Sequence, residues 1–160
     1  MRFDISGHNF AAALACMVLA GCAAGAQTPP TPESLVTLTI SFPADVTIMP
    51  FNAIVQTPPQ TAQLTLTNTS ALSVTLRRPN DCQVHIWTVS DSAGNLIDDR
   101  AICPMIFMQV ALPLAAHGTF KTAQILPLAY DKYRDGGHYT LHYTFWGIKA
   151  DAPFTVHVVK

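Results

Sequence analysis

A strict alternation of apolar residues with threonine, serine and histidine restricts this chain more than any other feature. In Leu64-Thr-Leu-Thr-Asn the leucines fall on one side and the threonines on the other. The same period of two recurs over residues 34–42, 72–76, 83–89, 139–145 and 154–158. Successive side chains of a strand point to opposite faces, so such runs predict half-buried strands. No segment sustains a 3.6-residue stripe, and Glu33 is the single glutamate in 160 residues. Helical surfaces normally use more. Turn signals recur about every ten residues. Asn68-Thr-Ser is one, and Asp91-Ser-Ala-Gly-Asn is another, with Gly94 able to take a positive φ. The expectation is an all-β chain: an antiparallel β-sandwich of about seven to nine short strands.

Composition at first suggests a membrane protein, with 49% hydrophobic and 12% charged residues. Much of the apolar excess lies in residues 10–24, shorter than the ~20 residues a spanning helix needs. Residues 1–26 read instead as a secretory signal, with Arg2 ahead of the apolar run Phe10-Ala-Ala-Ala-Leu-Ala. Leu19-Ala20-Gly21-Cys22 resembles the lipobox of bacterial lipoproteins. That resemblance implies cleavage before Cys22, a lipid-bearing Cys22, and anchoring in the cell envelope. Ala23 in place of an aspartate implies the outer membrane, facing the periplasm. The competing reading is an ordinary signal cut after Ala26, which discards Cys22. The expected organisation is a signal over 1–21, a proline-rich tether over 22–33 and one domain over 34–160. Net charge is −1 and no basic run occurs, which argues against nucleic acid as a partner.

Cys16 would leave with the signal and Cys22 would carry lipid. Cys82 and Cys103 then form a pair in an oxidising compartment. A hairpin folding at Ser92, Ala93 and Gly94 sets them opposite each other. A bond there closes a loop of about 20 residues, worth roughly 3 kcal/mol. A metal or redox role is the alternative, although neither cysteine stands in a CxxC.

The central runs, Leu64-Thr-Leu-Thr-Asn-Thr-Ser followed by Val84-His-Ile-Trp-Thr-Val-Ser-Asp-Ser-Ala-Gly-Asn, are similar to the BsuPI-like intracellular proteinase inhibitor family. Gly137-His-Tyr-Thr-Leu echoes a later strand of that family. The resemblance implies an Ig-like sandwich that engages a protein, a protease among the candidates, through loops at one end. The candidate loop residues are Arg78, Asp91, Asn95, Tyr130 and Trp146, and residues 147–151 are expected to be a loop. The alternative is a structural or assembly component of an envelope complex.

Other chemistry is less favoured. A turn around residues 147–151 would set His142 opposite His157, a pair able to chelate Zn²⁺ or Cu²⁺. Met105 and Met108 beside Cys103 invite copper but suit core filling better. Trp87 is expected in the core, and Asp98-Asp99 in a solvated loop. No G-x-S-x-G, H-E-x-x-H, P-loop or dinucleotide fingerprint occurs. The expectation is a non-catalytic chain without a cofactor.

Overall fold

The alternating runs are strands. A computed structural model describes residues 30–49, 59–99 and 109–159. Residues 1–29, Cys22 included, and Cys103, Met105 and Met108 lie outside the described residues. Among these, ten strands occur: β1 (Val36–Ser41), β2 (Asp45–Ile48), β3 (Gln60–Asn68), β4 (Val74–Arg78), β5 (His85–Asp91), β6 (Leu96–Asp99), β7 (Val110–Leu114), β8 (Thr119–Leu126), β9 (Gly137–Phe145) and β10 (Ile148–Val158). Strands as short as β2 and β6 show too few alternations to be read from sequence, so the expected number was low.

The chain forms an all-β sandwich. One sheet has the order β1-β3-β8, a second the order β2-β10-β9-β5-β6, and β4 pairs with β7. The ladders are antiparallel with one exception: β2 runs parallel to β10. One parallel pair is thus added to the expected antiparallel sandwich. Residues 42–44 carry the chain from β1 in the first sheet to β2 in the second. No hairpin links β2 to β10, so no turn imposes an antiparallel direction. Thr155 N donates to Ala44 O at 2.8 Å, and Val159 N donates to Ile48 O at 3.0 Å.

Period-two parity fixes which rows are inside. Leu64 and Leu66 of β3, Trp87 and Val89 of β5, and Tyr139, Leu141, Tyr143 and Phe145 of β9 are buried, as are Phe154 and Val156 of β10. Each fully buried large apolar side chain contributes about 1.5–3 kcal/mol. The Phe120 ring of β8 meets Phe145 of β9 with ring centroids 6.3 Å apart. Among the described residues five large apolar side chains are exposed, Leu72, Ile86, Leu96, Ile125 and Val159. Leu72 lies in the turn before β4 and is 72% exposed, and Ile86 points outward beside the buried Trp87 and is 44% exposed.

Asn68 ends β3 and is fully buried. Its Nδ2 donates to Leu72 O at 2.7 Å and Ala115 O at 2.8 Å, while its Oδ1 accepts from Ser70 N at 3.0 Å and Ser70 Oγ at 2.8 Å. One amide thus ties together the two connections, β3 to β4 and β7 to β8, where the β3–β8 ladder gives way to the β4–β7 ladder. A short polar side chain with both a donor and an acceptor is needed there.

Candidate functional site

The candidate loop residues do not gather at one end of the sandwich. Arg78 and Trp146 lie at one end and are joined to each other. The Arg78 guanidinium donates to the Trp146 carbonyl, and its Nη1 lies 3.0 Å from Glu33 Oε1. Hydrogen bonding to its own backbone amide, then to Arg78, holds the Glu33 carboxyl below its usual range. Arg78 is therefore a strut with little reach to a partner. Glu33, assigned to the tether, belongs to a 3₁₀ turn over Pro32–Leu35 docked on the domain.

Asp91, Asn95 and Tyr130 belong to the other end. The β5–β6 hairpin forms in the expected register, with Thr88 opposite Asp99 and Val89 opposite Asp98. Cys82 opens beside this hairpin in a 3₁₀ turn over Asp81–Gln83, and its expected partner Cys103 lies outside the described residues. The turn itself is locked by Asp91. Its Oδ1 accepts from Ala93 N and Asn95 N, each at 2.9 Å, and its Oδ2 accepts from Asn95 Nδ2 at 2.9 Å. Gly94 takes φ +84°. Asp91 and Asn95 are thus each other's partners, and they hold up the tip formed by Ser92, Ala93 and Gly94. Next to the tip, Leu96 is 64% exposed.

Bonds from the Asn95 side chain, then from the turn's backbone amides, hold the Asp91 carboxyl below its ordinary value. A carboxyl made more acidic by folding stabilises the fold above its unfolded pKa and loses that effect as pH falls through its folded pKa. The turn is therefore expected to stay closed down to pH values below the ordinary aspartate pKa of about 3.9. Carboxyl-detected NMR titration checks this, and an Asp91 midpoint at or above the ordinary value would contradict it.

The segment joining β8 to β9 packs against this end, and what holds it is not legible in the sequence. Asp98 was expected in a solvated loop; it is 4% exposed on the inner side of β6. Its carboxylate accepts from Lys132 Nζ at 2.6 Å, Tyr133 Oη at 3.1 Å and Ala129 N at 3.3 Å. Burial, then the nearby Asp98 charge, pushes the Tyr133 phenol well above its ordinary pKa, so it stays a neutral donor. Asp98 raises the Lys132 pKa through their hydrogen bond. Between this segment and the Asp91 turn lies a cleft of about 500 Å³, lined in part by Asn95, Lys132, Arg134 and His138. Its cations come from residues 130–137, so parity could not have revealed it.

The outer face of the five-stranded sheet carries His138, His142 and His157, and the pairing of the last two differs from expectation. Trp146 (φ +52°) and Gly147 (φ +80°) close the β9–β10 hairpin in two residues, with Ile148 opposite Phe145. Positive φ at both positions is what the tightest hairpin turns require. A non-glycine residue there is uncommon. Trp146 is held in place because it is buried, its N donates to Val84 O at 3.0 Å, and its carbonyl accepts from Arg78. Residues 147–151 are therefore mostly strand. His142 faces Asp151, and His157 sits beside Thr47 of β2 with its Nε2 3.1 Å from Asp45 Oδ1. The proposed His142–His157 chelate does not form. Among the described residues, no group of three or more His, Cys, Asp or Glu side chains is placed to hold a metal.

In its actual register His142 bridges two neighbours. Its Nδ1 is 2.9 Å from Asp151 Oδ1, and its Nε2 is 2.8 Å from Ser90 Oγ. A groove of about 430 Å³ lies alongside, lined by Ile86, Thr88, His142, Lys149 and Asp151 among others.

No known protein family matches the chain, and no curated protein matches it. Among solved structures it is similar to a β-glucosidase from Listeria innocua in complex with gluconolactone, at a TM-score of 0.44 and 10% identity, over 78% of this chain and 16% of that one. It is also similar to the alkylpurine DNA glycosylase AlkC of Pseudomonas fluorescens bound to DNA with an abasic site analog, at a TM-score of 0.44 and 13% identity, over 79% of this chain and 32% of that one. The chain thus spans no more than about a third of either protein, and at these values neither likeness carries an argument.

Proposed function

We propose that this protein is an envelope lipoprotein, anchored through lipid on Cys22, whose Ig-like sandwich binds a protein partner, with a protease as the first candidate. The binding end carries the Asp91 turn and the adjoining Tyr130–Lys132 segment. The observation that carries the reading is the preorganised turn: Asp91 fixes the tip while Leu96 stays exposed beside it. A loop already held in its bound shape loses little entropy on association. An exposed apolar anchor beside a polar cleft that carries Arg134 suits a partner with an apolar pocket and a polar rim. The lipobox and the tether support the location, and Cys82 with Cys103 as a disulfide fits an oxidising compartment.

The test is inhibition of a protease panel by the wild-type protein and by a Leu96→Asp variant. Inhibition weakened at least tenfold in the variant is the expected result. Absence of inhibition across all protease classes removes the protease reading. Retention in an envelope complex that requires Cys22 but not Leu96 would replace it with an assembly role.

A further inference from the structure

Three strands next to one another bring Ser90, His142 and Asp151 together on the open face of the five-stranded sheet. Asp151 of β10 lies directly opposite His142 of β9, while Ser90 of β5 is opposite Thr140, one same-face position along from His142. From this juxtaposition we propose that Ser90 is an activated nucleophile that takes the acyl group of small esters, with His142 as its base and Asp151 as the group that orients the base.

The order of contacts is the one such chemistry needs. Asp151 at 2.9 Å from Nδ1 favours the tautomer that carries its proton on Nδ1. The lone pair of Nε2 then faces the Ser90 hydroxyl at 2.8 Å, within the reach required of a general base. All three side chains rise from paired strands, which position groups more rigidly than loops.

The groove lies on the side of His142 away from Ser90: Thr88, Ile86 and Lys149 line it, and Ser90 does not. An acyl group on Ser90 therefore rests on the open sheet face beside Thr140, which suits a small, unhindered ester. Ser90 Oγ would attack the ester carbonyl carbon as its proton passes to His142 Nε2. The ester C–O bond then breaks, and the departing alcohol takes that proton. Water, deprotonated by His142, then attacks the acyl carbon; the acyl–Oγ bond breaks, His142 returns the proton to Ser90 Oγ, and a carboxylic acid leaves. The strand amides serve the ladders, so donors to the oxyanion come from side chains; Thr140 and Thr88 share the face. Such donors are weaker than a preorganised backbone pair. His142 is 43% and Asp151 64% exposed, which screens their interaction. Turnover is accordingly slow, and the nucleophile is best read as a covalent adduct.

The experiment exposes the whole protein to a fluorophosphonate and, separately, to p-nitrophenyl acetate, and maps adducts by mass spectrometry. The adduct is expected on Ser90 and absent in Ser90→Ala. His142→Gln keeps a polar side chain without a base and should slow labelling about 100-fold, the low end for general-base assistance. Asp151→Asn should slow it less. Circular dichroism of each variant shows that the fold is retained. Labelling confined to Lys149 or histidine, no labelling of Ser90, or an unchanged Ser90 rate in a folded His142→Gln variant would each overturn the proposal. None of these outcomes bears on protein binding by the Asp91 end.

Discussion

Replacing Asp98 by alanine is expected to cost about 3 kcal/mol of folding stability, from one loss of buried hydrogen bonding. The Tyr133 hydroxyl and the Ala129 amide both lose their acceptor inside the fold, while Lys132, 40% exposed, can turn to water. The buried Tyr133 hydroxyl and the part-buried Ala129 amide therefore dominate the loss, and the exposed cation adds little. The consequence is local as well as global. Asp98 is the side chain that fastens the β8–β9 connection to β6, so amides around 129–133 should exchange faster than those of β9. Asp98→Asn, which retains an acceptor, should cost less than Asp98→Ala. Urea unfolding with hydrogen exchange measures both effects. A loss below about 1 kcal/mol in Asp98→Ala would show that the segment is held by the Tyr133–Tyr139 ring contact, 5.0 Å between centroids, instead.

A loss of similar size, about 3 kcal/mol, is expected for Asn68→Ala. That substitution leaves the carbonyls of Leu72 and Ala115 without the donor they share and opens a small cavity at a fully buried position. Asn68→Asp separates polarity from volume. It fills the same space but points a carboxylate oxygen at two carbonyls, so it should cost at least as much as alanine. If Asn68→Asp proved markedly milder than Asn68→Ala, packing alone would account for the position.

Both residues show how far a sequence can be read. Asn68-Thr-Ser is legible as a turn because asparagine satisfies nearby backbone groups. That the same amide also reaches Ala115, 47 positions away, is a property of the fold. Asp98 looks solvated because it stands beside Asp99 in sequence. In a strand the two neighbours face opposite ways, and only Asp98 turns inward, toward partners more than thirty residues on.

The sequence by itself determined the fold class, the strand parity and most of the core. The inward rows of β3, β9 and β10 follow from period two, a local property of the extended backbone. The β5–β6 register was legible too, because its turn carries Asp91 and Gly94. The β9–β10 register was not. Trp146-Gly147 lacks the usual turn signature, and its positive φ values are imposed by burial of Trp146 and by Arg78 from another strand. Where that turn closes decides whether His142 meets His157 or Asp151. Parity comes from neighbours in the chain, but register comes from contacts between distant segments. The candidate chemistry on the sheet was therefore settled only by the tertiary structure.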